Sequence, residues 1–84
     1  MIEAKVYITL KETASDPQGL AIKHALGSLH YKRIDQVRVG KLITLRLNIK
    51  SKREARIAVD KMCKKLLANP IIEDYCFDLK RKDK

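Results

Sequence analysis

The side chains best suited to catalysis or metal binding in this sequence are two histidines and two cysteines. Histidine can act as a general base, and a cysteine thiolate can act as a nucleophile or a metal ligand. His24 lies off the apolar stripe of a predicted helix and His30 at its end, so we interpret both as solvent-facing or capping side chains. Cys63 and Cys76 are too far apart for a chelating CxxC pair, and we interpret both as buried thiols. The sequence predicts no catalytic residue and no metal site.

Nucleotide binding would require a glycine-rich loop whose backbone N–H groups hold phosphates. The three glycines, Gly19, Gly27 and Gly40, are instead spread over a helix start, a helix end and a turn. We therefore expect no ATP and no other cofactor to bind to this chain alone.

The length of 84 residues and the hydrophobic content of 45% indicate one small globular domain, residues 1–84, with a basic tail over residues 79–84. A domain of this size buries only roughly 60 to 65% of the surface of its unfolded chain, so we expect a partner surface. No apolar run approaches the roughly 18 residues of a membrane-spanning helix. The N-terminus alternates like a strand and lacks a signal-peptide apolar block, which predicts a cytoplasmic protein.

The net charge of +9 is concentrated in the middle of the chain. Residues 31–68 carry twelve basic and three acidic side chains, whereas residues 1–30 and 69–84 are balanced. We interpret the basic residues of the second predicted helix as a solvated face or a contact for an acidic protein, in preference to a phosphate-binding surface. They are Lys52, Arg53, Arg56, Lys61, Lys64 and Lys65.

The first half of the chain predicts a strand followed by a helix. Apolar and polar residues alternate from Ile2 to Leu10, the period of a strand with one buried face. Asp16 can cap a helix whose first residue is Pro17. Because the helix carries an apolar stripe, we expect it to pack on a sheet. The stripe consists of Ile22, Ala25, Leu26 and Leu29.

The second half predicts two strands, a helix and a last strand. Ile34–Val39 and Leu42–Ile49 indicate a hairpin with a type II′ turn at Gly40-Lys41. Ser51 and Glu54 form a capping box at the start of the second helix. The apolar stripe of that helix consists of Ala55, Ala58, Val59, Met62, Leu66 and Leu67.

The segment MCKKLLANPIIEDY, Met62 to Tyr75, predicts where the second helix ends. Asn69 tolerates the left-handed conformation that closes a helix, and Pro70 bars its continuation. We therefore expect the last strand to begin at about Ile71.

The resulting order, β-α-β-β-α-β, predicts an α+β, ferredoxin-like domain with two helices on one face of a four-stranded antiparallel sheet. The other sheet face would be open and mixed in polarity, and we expect another subunit to cover it. The candidate interface residues on this face are Tyr7, Thr9, Thr44 and Arg46.

RNA-recognition domains share this order of elements, so a small basic RNA-binding domain is the alternative function. Such domains stack bases on aromatic residues of the two central strands. Here the first strand offers only Tyr7, and the third has Thr44, Arg46 and Asn48 in the outward positions.

Three motifs resemble the PurS small-subunit family of phosphoribosylformylglycinamidine synthase. They are DPQG from Asp16 to Gly19, VRVGK from Val37 to Lys41, and the MCKKLLANPIIEDY segment, in the order and spacing of the family. The chain departs at Leu29-His30, where the family usually has Leu-Gly, so His30 must occupy or avoid a left-handed turn.

The resemblance implies a non-catalytic subunit of a purine-biosynthesis ligase complex, homodimeric, which bridges a glutaminase and an ATP-dependent synthetase and assists ammonia transfer. ATP, Mg and glutamine would be used by the complex and not by this chain. We expect the DPQG helix start and the VRVGK hairpin to face partners, because loops carry function disproportionately. The residues concerned are Asp16, Pro17, Gln18, Gly19, Arg38, Gly40 and Lys41.

Overall fold

The computed structural model describes residues 1–82 and shows an α+β chain with three strands and two α-helices. The elements are β1 (Ile2–Leu10), α1 (Pro17–Ser28), β2 (Gly40–Leu47), α2 (Lys52–Met62) and β3 (Glu73–Arg81). A π-helical turn, Cys63–Leu67, continues α2. In residues 1–82, neither helix is long and apolar enough to span a membrane.

The sheet is antiparallel, with β1 in the centre and the order β2-β1-β3. Ile2 lies opposite Leu47 of β2 and Arg81 of β3, and the pairing continues along β1. The three strands are nearly equal in length. β3 therefore includes the first part of the predicted tail, residues 79–81, while residues 83 and 84 lie outside the described residues.

The core lies between one face of the sheet and α2. The predicted alternation of β1 is confirmed: the inward side chains Ile2, Ala4, Val6 and Ile8 are at most 1% exposed. α2 packs on β1 and β3. Its contribution to the core comes from residues one helical turn apart, namely Ala55, Val59 and Cys63, all fully buried.

The ends of α2 differ in how well the sequence predicts them. Ser51 caps the helix as expected, its hydroxyl accepting from the Glu54 N–H at 3.2 Å. The prediction that a left-handed Asn69 closes the helix is wrong. The helical segment ends at Leu67, and the next residue, Ala68, is already extended. The Asn69 side chain instead accepts from the Ile71 N–H at 3.0 Å, forming a turn. This turn delays the last strand from the predicted Ile71 to Glu73.

The predicted four-stranded sheet is wrong for the described residues, because residues 34–39 form no strand. Their polar groups have other partners: the Val39 N–H donates to the Asp16 carboxylate, and the Arg38 guanidinium donates to backbone carbonyls. Gly40 has no positive φ and lies in β2 opposite Thr9, so the predicted type II′ hairpin turn is also absent from residues 1–82.

The prediction that α1 packs on the sheet is wrong as well. Its apolar residues Leu20, Ile22 and Leu29, the last at its C-cap, are 55%, 38% and 65% exposed, and within residues 1–82 only α2 covers the sheet extensively. The chain measures 49 × 29 × 14 Å with a radius of gyration of 16.4 Å. A compact domain of this length has a radius of gyration of about 12 Å, so the chain is extended.

The end of α1 is a Schellman motif with a histidine in the left-handed position. The N–H groups of His30 and Tyr31 donate to the carbonyls of Gly27 and Leu26, both at 3.0 Å. His30 has a φ of 75°, the one positive φ of a non-glycine residue in residues 1–82. His30 thus occupies the left-handed turn and does not avoid it, and its Cβ is strained there.

Replacing His30 with Gly should raise the free energy of unfolding by about 1 kcal/mol, because glycine adopts this conformation without the strain of a Cβ. The matched control is Leu29→Gly, at a φ of −90°. This control should lower stability by roughly 0.5 to 1 kcal/mol, because glycine is more flexible in the unfolded chain. Urea unfolding of the two variants measures both values, and equal losses would contradict the strained turn.

Candidate functional site

The start of α1 is built around the Asp16 carboxylate. One oxygen accepts from the Gly19 N–H at 2.9 Å, as an N-cap does, and the other accepts from the Val39 N–H at 2.8 Å. These two bonds, together with the Arg38 guanidinium, hold the pKa of Asp16 below its usual value. The carboxylate therefore joins the helix start to the segment that precedes β2.

Only glycine fits at position 19, because the backbone of the helix start lies very close to the backbone at Val37. A Cβ at this position would lie 2.3 Å from the Val37 carbonyl oxygen and 2.8 Å from a carboxylate oxygen of Asp16. Because backbone atoms cannot move aside cheaply, any side chain would push the 37–39 segment away from the helix start. The second glycine of the matched motifs, Gly40, has a similar constraint, since its Cβ would lie 2.7 Å from the Ile8 carbonyl oxygen.

Arg38 completes the junction from the other side. Its guanidinium donates to the carbonyl oxygens of Lys11 at 2.7 Å and Ala14 at 3.3 Å, with a longer contact to Leu10 at 3.5 Å. We call Asp16, Arg38 and their backbone partners the brace. A cavity of about 230 Å³ lies beside it, lined by Ser15, Asp16, Leu20, Lys23, Asp35, Gln36, Val37 and Arg38. The ionised side chains of the brace bond to backbone, so this arrangement holds a loop together.

The predicted partner-facing residues thus divide into two groups. Asp16, Gly19 and Arg38 point into the brace, whereas Pro17 and Gln18 are exposed beside it. The other two lie in β2: Gly40 pairs with β1, and the Lys41 ammonium lies 3.4 Å from the Glu73 carboxylate.

The sheet has one uncovered side, which we call the open sheet face. Three neighbouring residues, Leu42, Tyr7 and Cys76, form its middle row across the three strands. Leu42 is 56% and Tyr7 is 38% exposed. The prediction that Cys76 is buried is wrong, because alternation along β3 directs it to this face, whereas Cys63 is buried as predicted.

Charged residues form the row at one end of the open sheet face. Arg46, Glu3 and Lys80 lie side by side across the strands. The remaining predicted interface residues, Thr9 and Thr44, are exposed on the same face. The four residues predicted for a subunit interface, Tyr7 among them, therefore share one surface of mixed charge with an apolar middle.

The RNA-binding alternative is not favoured by this face. Tyr7 is its one aromatic residue within the described part of the chain, because Tyr75 and Phe77 pack against the core on the opposite side. Base stacking on two adjacent strands would need at least one more outward ring.

The inward side of β3 carries a polar contact at the edge of the core. The Tyr75 hydroxyl donates to the Asp60 carboxylate at 2.6 Å, and the Lys64 ammonium lies 3.1 Å from the other oxygen of that carboxylate. The bond to Asp60 raises the pKa of Tyr75 to about 12, while burial raises the pKa of the Cys63 thiol. Cys63 is therefore a protonated core residue and not a nucleophile.

Both histidines, His24 and His30, are exposed, and among residues 1–82 no group of three metal-binding side chains comes together.

Sequence reasoning missed a group of exposed apolar residues around the end of α2. Leu66 and Ile71 are 82% and 81% exposed, and Ile72 and Met62 are 42% and 37% exposed. An apolar groove of about 580 Å³ lies between this end of the helix and β2, lined on its apolar side by Leu45, Ala58, Met62, Leu66 and Leu67. The prediction that Met62 and Leu66 belong to the buried stripe of the second helix is wrong, because both are exposed. The winding changes to π-helical just after Met62, over Cys63–Leu67, and no local sequence pattern predicts this change.

Comparison with known proteins shows the family to which this chain belongs. The family model for phosphoribosylformylglycinamidine (FGAM) synthase, PurS, matches residues 3–81. The chain belongs to the PurS family. It is 47% identical over 79 residues to the PurS subunit of phosphoribosylformylglycinamidine synthase from Bacillus subtilis (strain 168), an alignment that covers 94% of this chain and 93% of that one.

Solved PurS structures share the fold. PurS from Methanocaldococcus jannaschii, described as one of the subunits of formylglycinamide ribonucleotide amidotransferase in the purine biosynthetic pathway, gives a TM-score of 0.87 at 34% identity, covering 99% of this chain and 100% of that one. PurLQS from Thermotoga maritima contains a chain that gives 0.82 at 26% identity, covering 95% and 99%. The family resemblance carried by the three motifs is confirmed.

Replacing Asp16 with Asn tests the brace through its pH dependence. The folded-state pKa of Asp16 lies below the reference value of 3.8, so the unfolded chain binds the proton more tightly. Its stabilisation is complete above the unfolded-state pKa and is lost as the pH falls through the folded-state pKa. We expect Asp16→Asn to be less stable than the wild type at about pH 6, with a gap that shrinks at about pH 3.

Urea unfolding at both pH values measures this gap. Glu12→Gln is the matched control, because Glu12 is exposed and makes no hydrogen bond or ion pair with residues 1–82. A constant gap for Asp16→Asn at the two pH values would contradict the role of its charge.

Replacing Tyr75 with Phe tests the contact with Asp60 at alkaline pH. Because the folded-state pKa is about 12 against a reference of 10.0, the stabilisation is present below pH 10.0 and is lost as the pH rises through about 12. The ultraviolet titration of the wild type should therefore contain a phenolate component near pH 12 that Tyr75→Phe lacks. Tyr31→Phe, which replaces an exposed tyrosine, should keep this component. Loss of the component in Tyr31→Phe would refute its assignment to Tyr75.

Proposed function

We propose that this chain is the non-catalytic accessory subunit of FGAM synthase, bridging a glutaminase subunit and an ATP-dependent synthetase subunit. The observation that carries the proposal is the PurS family match over residues 3–81. In this proposal glutamine, ATP and Mg are used by the other subunits, this chain binds no cofactor, and the complex works in the cytoplasm.

The chemical contribution of such a subunit is the exclusion of water from the path of ammonia. Ammonia released from glutamine is protonated readily in bulk water and then no longer acts as a nucleophile. A sealed interface prevents this side reaction, and the same interface aligns the two active sites. The subunit thereby assists the transfer of ammonia to the activated amide of formylglycinamide ribonucleotide.

The open sheet face is the surface we propose for a homodimer. Its middle row, Leu42, Tyr7 and Cys76, is exposed apolar surface on a chain only 14 Å thick. The end row carries both signs of charge, with Glu3 between Arg46 and Lys80. Face-to-face packing would give each copy the second layer that its own helices do not supply.

Reconstitution of the complex tests the proposed function. The purified chain alone should give no turnover, and the glutaminase and synthetase subunits should form the amidine from glutamine only after this chain is added. An ammonium salt is the matched control, because ammonia supplied directly does not need transfer between subunits. Glutamine-dependent synthesis at the full rate without this chain would refute the proposal.

A further inference from the structure

Residues 11–39, which we call the arm, contribute almost nothing to the core of the chain. They leave β1 after Leu10, form α1 and return to the sheet at the start of β2. Gly19 is the one buried residue among them, and α1 makes no extensive contact with the sheet or with α2 within residues 1–82. The arm is therefore a projection from the sheet.

The brace lies at the base of the arm, where both of its ends meet the sheet, just beyond the last residue pair of β1 and β2. The Arg38 guanidinium donates to the Lys11 carbonyl at 2.7 Å, and the Asp16 carboxylate accepts from the Val39 N–H at 2.8 Å. Both bonds join the outgoing chain to the returning chain. The base of the arm is thus closed by polar contacts and not by core packing.

Two contacts one helical turn apart fix the direction of α1 relative to this base. Gly19 lies so close to the returning chain that a Cβ would be 2.3 Å from the Val37 carbonyl oxygen. One turn further along, the Lys23 ammonium donates to the Asp35 carbonyl at 2.7 Å. Because rotation about either contact would break the other, α1 projects from the sheet in one direction.

No packing role within the chain explains this fixed direction. The apolar residues Leu20, Ile22 and Leu29 are all exposed, so ordering the arm costs backbone entropy that burial within residues 1–82 does not offset. The fixed direction has a use only outside the chain, where the subunits of the complex must be aligned.

We propose that Asp16, Gly19 and Arg38 are positioning residues for ammonia transfer in the assembled complex. The brace fixes the direction of the arm and, through it, the alignment of the subunits that this chain joins. A displacement at the brace opens the path, and ammonia escapes into water and is protonated. This inference rests on the proposed function, because it names the residues of this chain that keep the transfer path closed.

Gly19→Ala tests the positioning in the reconstituted complex. Its methyl group needs an ordinary contact distance of at least 3.4 Å in place of 2.3 Å, so the helix start and the returning chain separate by about 1 Å. A misplacement of this size can cost roughly 100-fold in rate. We expect glutamine-dependent synthesis to fall by at least about tenfold, with more glutamate released per amidine formed, while ammonium-dependent synthesis keeps the wild-type rate.

Arg38→Ala and Arg38→Lys form a second, independent pair of variants. The carbonyl contacts of Arg38 all come from one guanidinium nitrogen, so a lysine ammonium can replace them. Arg38→Ala should uncouple glutamine hydrolysis from synthesis, and Arg38→Lys should restore the coupling. Equal coupling in these two variants would contradict the positioning role of Arg38.

Two controls separate positioning from stability. Gly27→Ala makes the same chemical change in the same helix, at a position where a Cβ meets no atom within 4 Å. Val59→Ala destabilises the chain through a cavity in the core and leaves the brace untouched. Both should keep the wild-type ratio of glutamate to amidine. Circular dichroism melts set an assay temperature at which every variant is folded.

The outcomes distinguish this inference from the proposed function. Wild-type coupling in Gly19→Ala would overturn the inference and leave the proposed function standing. Parallel loss of glutamine-dependent and ammonium-dependent synthesis, or equal uncoupling by Val59→Ala, would assign the effect to lost stability and would also overturn the inference. A wild-type chain that does not increase glutamine-dependent synthesis would overturn the proposed function, and this inference with it.

Discussion

The structure depends on a core that has a single sheet face and a single covering helix. The inward side chains of β1 are completely enclosed by α2 and by the neighbouring strands. Together with Ala55, Val59 and Cys63 they make up most of the buried residues. Because residues 1–82 place no second layer on the other side, the sheet keeps one open face and the chain is only 14 Å thick. Apolar residues that a larger domain would enclose, such as Leu42 and Leu66, remain at the surface. Small domains commonly meet this shortage of core by association, which is the role that the PurS family suggests for this chain.

The second constraint is the position of α1, which the brace holds without support from a core. Asp16 and Arg38 use charged groups to bind backbone N–H and carbonyl groups across a break in the sheet pattern. Gly19 allows the two backbones to approach within a distance that no side chain would permit. The DPQG and VRVGK motifs therefore describe the two halves of one junction, and their joint occurrence has a structural cause. Pro17 and Gln18 are exposed beside this junction.

The parts of the fold that local patterns determine were predictable. Alternation gave β1 and β3, and side-chain capping gave the starts of α1 and α2 at Asp16 and Ser51. Residues 34–39 were not predictable as loop, because their strand-like pattern competes with nonlocal bonds from Asp16 and Arg38 that the sequence does not reveal. The outward position of Leu66 depends on a π-helical turn, which changes the register of a helix without a local signal. The three motifs indicated the family. The exposed apolar surfaces depend on tertiary packing, which local sequence patterns do not determine.

The central claim is that the exposed apolar surfaces of this chain become covered when the complex assembles. Oxidative footprinting with mass spectrometry measures side-chain exposure directly, and Met62 and Leu66 are reactive, exposed probes. Reaction rates would be compared for the isolated chain and for the chain mixed with the glutaminase and synthetase subunits. The account predicts that oxidation of Met62 and Leu66 slows markedly on assembly. Equal oxidation rates of Met62 and Leu66 in the two samples would contradict it.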